Sequence, residues 1–237
     1  MNKKEFQKIE KLYHYTSIDS ALKILLNNSL RFGELKRMND INEAYRNVFY
    51  PQGINLEIVN EELAKYRQIS LTRDNSPRRG YYIPAMWGHY AQRGMGVCLV
   101  FDKKELLSAL TLDMKSGDIE YEDNYDGSIL IQNQDIEVFF KRYMKELFFI
   151  KTSDWSYEQE FRILTKTDSI KPLYLPLKNS IIAIIMNYAE DIDYRDKVFD
   201  SLNAKLFKQT FPKMPILDLG VWGEGKPNLC DEGGDRW

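Results

Sequence analysis

The stretch Leu12-Tyr13-His14-Tyr15-Thr16-Ser17-Ile18-Asp19-Ser20-Ala21-Leu22-Lys23-Ile24-Leu25-Leu26-Asn27-Asn28-Ser29-Leu30-Arg31-Phe32-Gly33 sets the pattern for the whole chain. Ile18, Ala21, Leu22, Leu25 and Leu26 recur at helical spacing, and Thr16 or Ser17 can cap the first turn, so 17–27 predicts a helix. The residues from 12 to 15 before it and from 30 to 33 after it read as short strands, giving strand, helix, strand. His14 then stands where a strand ends and a helix begins. Such a junction offers free backbone N–H groups and suits a phosphate or a carboxamide-bearing ligand.

Outward from this unit, 41–49 and 55–66 read as helices and 68–72 as a strand. Arg73-Asp74-Asn75-Ser76-Pro77-Arg78-Arg79-Gly80 is a polar, turn-rich loop. A helix over 84–92 follows, with Pro84 at its first position and Gly94 and Gly96 closing it. Val97-Cys98-Leu99-Val100-Phe101 reads as a buried strand, after which Asp102 and Glu105 form a capping box. A strand around 119–121, a long amphipathic helix over 136–147 and a strand over 157–164 come next. Strands near 172–177, 181–187 and 215–219 and a helix near 190–207 complete the reading. Helices and strands do not alternate regularly, which predicts an α+β fold of short mixed strands rather than a doubly wound parallel sheet. Residues 1–219 are expected to form a single domain, and the Gly-rich tail 220–237 to be ordered only if something holds it. There is no glycine-rich dinucleotide fingerprint and no phosphate-loop motif.

The chain has 237 residues, 43% of them hydrophobic and 29% charged, which fits a globular domain and no disordered or fibrous class. A net charge of −2 argues against coating nucleic acid or anionic membrane through the overall field, while leaving a local basic patch open. Cys98 and Cys230 lie far apart, which is intracellular usage without a disulfide framework. No export signal follows the charged start, and the longest apolar run, 181–186, is too short to cross a bilayer. The expectation is a cytoplasmic protein with no membrane partner.

Three groups of residues can carry chemistry. In Glu158-Gln159-Glu160-Phe161-Arg162, strand alternation would set Glu158 and Glu160 on one face roughly 6–7 Å apart with Arg162 next in line. That face is either solvated, with Arg162 neutralising its neighbours, or it supplies a carboxylate that stabilises positive charge on a ribose or takes a proton from a nucleophile. His14 and His89 are the only histidines, embedded in Tyr13-His14-Tyr15-Thr16 and Trp87-Gly88-His89-Tyr90. For His89 packing on a half-buried helix is the simpler reading, and no ligand spacing supports a metal site built from the histidines with Asp40 or Glu160. Ser70 and Thr72 share one strand face. Beyond them Arg73, Arg78 and Arg79 mix with Tyr81 and Tyr82, a combination that can grip phosphate and stack on a base, although loop arginines are more commonly just solvated.

Read together, Tyr13–Ser17, Met86–Ala91, Gly96–Asp102 and Trp155–Arg162 resemble a bacterial family of unknown function with blocks Tyr-His-Tyr-Thr-Ser, Met-Trp-x-His-Tyr-Ala, Gly-Val-Cys-Leu-x-Phe-Asp and Trp-Ser-Tyr-Glu-x-Glu-Phe-Arg. The order of early histidine, hydroxyl strand and Glu-x-Glu is also similar to the ADP-ribosyltransferase superfamily. That resemblance implies a split β-sandwich holding NAD as substrate, without a metal. His14, Tyr15, Thr16, Ser70, Thr72, Tyr81, Tyr82 and Tyr90 would bind NAD, with His14 on the nicotinamide-side ribose. Glu160 would be the catalytic carboxylate and Glu158 would position the acceptor, the choice between the two staying open. Arg73, Arg78 and Arg79 would bind a macromolecular acceptor, nucleic acid favoured over protein. The resemblance further implies a toxin or antiphage effector with an antitoxin or regulatory partner. NAD hydrolysis without an acceptor, and a non-catalytic nucleotide- or partner-binding module, are the alternatives. The sequence departs from the toxin pattern in having Leu71 where a full Ser-Thr-Ser strand has a hydroxyl, which leaves the role of Ser70 open.

Overall fold

Val97 to Phe101 are completely buried, as a β-branched and apolar run covered on both faces should be. Around this strand the computed structural model describes residues 2–40, 56–123, 135–187, 201–222 and 226–237. The strands are β1 (Lys11–Thr16), β2 (Ser29–Arg31), β3 (Gly33–Glu34), β4 (Tyr66–Arg73), β5 (Val97–Asp102), β6 (Lys115–Asp118) and β7 (Glu120–Tyr121). They continue with β8 (Ile150–Lys151), β9 (Glu160–Lys166), β10 (Tyr174–Pro176), β11 (Ile181–Met186), β12 (Ile216–Trp222) and β13 (Lys226–Cys230). The helices are α1 (Lys3–Lys8), α2 (Ile18–Asn27), α3 (Leu56–Leu63), α4 (Pro84–Tyr90), α5 (Lys103–Leu107), α6 (Ile136–Arg142), α7 (Met144–Phe148) and α8 (Leu202–Thr210). The architecture is α+β with a mixed sheet: β11 and β12 run parallel, while β1–β5, β5–β11 and β12–β13 pair antiparallel.

The chain divides into two compact units. The first takes Met1–Ser29, Leu71–Leu110 and Pro176–Trp237, and the second takes Leu30–Ser70 and Thr111–Leu175.

In the first unit the strand order is β13-β12-β11-β5-β1, and the end of β4 pairs with β1 through Leu12–Arg73 and Tyr13–Thr72. Every residue of β1 pairs with β5, from Lys11–Asp102 to Thr16–Val97. Ser17 caps α2 by accepting the Ser20 N–H at 3.1 Å, and Asn28 in the left-handed region ends it. Residues expected as a tail instead extend the sheet. β13 pairs antiparallel with β12, and Trp237 is held by its indole on Asp231 (2.9 Å) and by edge contact with Phe6 at 5.4 Å.

The second unit carries its own apolar cluster of Leu35, Val59, Tyr66, Phe139, Phe140, Leu147, Phe148 and Leu164. Gly33 and Glu34 of β3 pair with Gln68 and Arg67 of β4, and β6 pairs with β9. β7 and β8 form a separate parallel pair, Tyr121 opposite Lys151. The single long helix expected over 136–147 is two helices, because Tyr143 leaves helical geometry (φ −104°, ψ 26°) and serves as the boundary of both. The strand expected over 157–164 begins only at Glu160. Residues 153–158 are a 3₁₀ turn, and Gln159 in the left-handed region (φ 48°, ψ 46°) ends it. The helices expected over 41–49 and over the first part of 190–207 lie outside the described residues.

Candidate functional site

Each unit gathers one group of the residues singled out from sequence. In the second unit the group is a buried ionic cluster. Because Gln159 turns the chain between them, Glu158 and Glu160 do not share a strand face, which corrects the period-two expectation. They meet on a common cation instead: Lys151 Nζ lies 2.8 Å from Glu158 Oε2 and 2.8 Å from Glu160 Oε2. Arg162, fully buried, grips Glu160 with both sides of its fork, Nε to Oε1 at 2.8 Å and an Nη to Oε2 at 2.9 Å. A second Nη donates to the Phe148 carbonyl at 2.5 Å. Burial alone would raise the Glu160 carboxyl, but Arg162 and Lys151 outweigh it and hold the group at about 2, so Glu160 is ionised. A solvated strand face is therefore excluded, since Glu160 is 2% exposed.

The backbone of Glu160 is fixed as firmly as its side chain. Its N–H donates to the Tyr121 hydroxyl at 2.9 Å, and its carbonyl accepts the Ile119 N–H at 2.9 Å. Burial pushes the Tyr121 hydroxyl well up, so it stays protonated. Trp155 covers Lys151, whose Nζ lies 5.4 Å from the ring centre. Gln159 is 5% exposed, and its Oε1 is buried with no hydrogen-bond partner among the described residues. Lys151 and Tyr121 were not legible as part of this group. The one available signal was a lone lysine closing the apolar run Leu147-Phe148-Phe149-Ile150.

The first unit gathers the histidine strand and the arginine loop. His14 is half-buried on β1, and Thr16 is buried at its end. Tyr15 is committed to the loop: its hydroxyl donates to the Gly80 carbonyl at 2.6 Å, and its ring stands edge-on to Trp87 at 5.2 Å. Tyr81 packs edge-on against Tyr13 at 5.9 Å, and its carbonyl accepts the Trp87 indole N–H at 3.0 Å. Tyr82 and Tyr90 are half-buried, with Tyr90 beside the exposed His89. Arg73 reaches the Asp74 carbonyl at 3.3 Å, whereas Arg78 and Arg79 are exposed. Along β4, Thr72 is buried and Ser70 exposed, its hydroxyl accepting from the Gln68 amide at 3.3 Å, so the two hydroxyls stand in different surroundings. Among the described residues no group of three or more His, Cys, Asp or Glu could hold a metal ion. No helix among them is long and apolar enough to cross a membrane.

Residues 86–163 match the family model described as "Protein of unknown function (DUF2971)". The blocks at Met86–Ala91, Gly96–Asp102 and Trp155–Arg162 fall inside that span, and Tyr13–Ser17 falls outside it. Among solved structures the chain is similar to "Thermus sp. 2.9 DarT in complex with ADP-ribosylated ssDNA", with 15% sequence identity over 86% of this chain and 90% of that chain and a TM-score of 0.34. The curated proteins contain no match.

Proposed function

We propose that the protein is an NAD-dependent, ADP-ribosyltransferase-like enzyme that transfers ADP-ribose to a macromolecule, with nucleic acid favoured as acceptor. The observation that carries this reading is Glu160, an ionised carboxylate fixed in backbone and side chain at the start of β9. When the bond between nicotinamide and ribose breaks, the ribose becomes oxocarbenium-like, and a carboxylate oriented in advance stabilises that charge without reorganising. Among the described residues Arg162 and Lys151 take three of its roughly four acceptor positions, and the proposal gives the remaining one, on Oε1, to a ribose hydroxyl. The proposal assigns His14 to the nicotinamide-side ribose in the same reaction and Glu158 to the acceptor.

The same saturation favours a second reading, a nucleotide-binding module without turnover, because a carboxylate neutralised by two cations has little charge to spare. Purified protein incubated with adenylate-labelled NAD, oligonucleotides and cell protein separates the readings. Transfer of label that is lost in Glu160→Gln and in His14→Ala, with both variants folded by circular dichroism, supports the enzyme and its residues. Label that persists in folded Glu160→Gln removes the assignment of the carboxylate. Free ADP-ribose without labelled acceptor means glycohydrolase activity, and tight NAD binding by calorimetry without turnover means a binding module.

A further inference from the structure

Residues 73–80 read from sequence as a polar, turn-rich loop, yet their attachment in the first unit is dense. Asn75 and Arg78 exchange two backbone hydrogen bonds, 3.0 and 2.8 Å, closing a tight turn. Asp74 sits at the base of this turn and ties three partners together. Its Oδ1 accepts the Gly80 N–H at 2.8 Å, its Oδ2 accepts the Tyr13 hydroxyl at 3.3 Å, and Arg79 Nη lies 3.7 Å from the same Oδ2. Gly80 is held from the other side by the Tyr15 hydroxyl on its carbonyl at 2.6 Å. Two tyrosines of one strand, one directly and one through Asp74, therefore fix both polar groups of a single peptide-flanked glycine. Burial pushes both tyrosine hydroxyls far above their ordinary range, so they remain donors at any working pH. No side chain fits at Gly80: a Cβ there would stand 2.5 Å from the Tyr13 ring and 2.8 Å from the Arg73 carbonyl.

A solvated loop needs none of this. The cost of ordering a surface turn is recovered when the turn must present groups in a fixed arrangement, since binding then loses less freedom. What is presented is two exposed guanidinium groups, Arg78 and Arg79, with the half-buried ring of Tyr82 following. Forked cations next to an aromatic ring match the phosphates and bases of an unpaired strand.

We propose that Asp74, with Tyr13 and Tyr15, is a positioning residue that holds the 73–82 turn rigid so that Arg78 and Arg79 grip the phosphate backbone of single-stranded nucleic acid. This deepens the acceptor side of the proposed function and rests on that reading for its choice of ligand.

The test is direct binding of fluorescein-labelled oligothymidylate and oligouridylate to the full chain, read by anisotropy over a series of salt concentrations without NAD. The wild-type protein binds, and Arg78→Ala and Arg79→Ala each lower the slope of log affinity against log salt by about 0.7. Asp74→Asn decides the positioning role by sign. It removes a negative charge beside Arg79, so a merely electrostatic surface would bind tighter, whereas a turn that has lost its anchor binds several-fold weaker. Tyr15→Phe keeps the ring on Trp87, loses only the donor to Gly80, and weakens binding in the same direction should Asp74→Asn fail to fold. Tighter binding by Asp74→Asn, unchanged binding by the double arginine variant, equal displacement by an acidic polyglutamate peptide, or no binding by the wild type overturns the proposal. Preference between the two oligonucleotides identifies DNA or RNA as the source of the strand. Binding without NAD turnover leaves this inference standing while the enzyme reading fails, and turnover without binding does the reverse.

Discussion

The ionic cluster of the second unit and the arginine turn of the first use the same residue types to opposite ends. At Lys151, Glu158, Glu160 and Arg162 two cations meet two carboxylates, all 7% exposed or less, and the charges are consumed by one another. At the turn, the single carboxylate of Asp74 spends its oxygens on a backbone N–H, a tyrosine and a distant edge of Arg79, while Arg79 remains 61% exposed. Water decides the difference. In the cluster, removing one partner strands a charge in a medium that cannot solvate it, whereas on the turn the solvent takes up whatever pairing is lost.

The most severe test of the contrast is Arg162→Met. It leaves Glu160 without its main partner and should cost about 3–5 kcal/mol in urea unfolding; a loss below 1 kcal/mol would mean that the cluster is wetter than its burial implies. The same cluster sets an acid limit. Glu160 in the folded chain is held below its ordinary value of 4.5, at about 2, so its contribution is complete above roughly pH 4.5 and is lost as the pH falls through the lower value. Thermal melts across this window should show the decline, and Arg162→Met, which raises the folded value towards the ordinary one, should shrink it.

Gly80→Ala probes the turn by geometry rather than charge. Its Cβ would press on the Tyr13 ring and the Arg73 backbone, for an expected loss of about 1–3 kcal/mol. Gln159→Gly should go the other way by about 1 kcal/mol, because it relieves a left-handed backbone and removes a buried amide oxygen that lacks a partner. Arg79→Ala should change stability by no more than about 0.5 kcal/mol. A larger loss would move the turn into the class of the cluster.

Periodicity and apolar runs carried α2, β5 and β11, because each buries its apolar residues in a local pattern. Where a single residue redirects the chain, periodicity has nothing to report. Gln159 adopts left-handed geometry without being glycine or asparagine, so Tyr157 to Leu164 reads as one strand although only its last five residues belong to β9. Tyr143 divides a helix whose apolar spacing is continuous across it. At the candidate site, Glu158, Glu160 and Arg162 were legible as a group, but their shared cation was not. Lys151 arrives through the pairing of β7 with β8, a non-local event that no window of sequence contains. Asp74 was read as one polar residue of a loop, since its role depends on two tyrosines that stand some sixty residues earlier in the chain.

The chain passes between the two units four times, after Ser29, Ser70, Leu110 and Leu175. During synthesis the second unit has all of its chain once Leu175 has emerged. The first must wait longer, because β5 has β1 on one edge but its partner on the other edge is β11, and β12 and β13 follow later still. Until then β5, whose Val97–Phe101 run is completely buried in the folded chain, has one edge open to the wrong neighbour. Nascent chains stalled between Leu175 and Ile181 should therefore be the ones most dependent on chaperones, and no single cut in the gene can deliver either unit as an uninterrupted fragment.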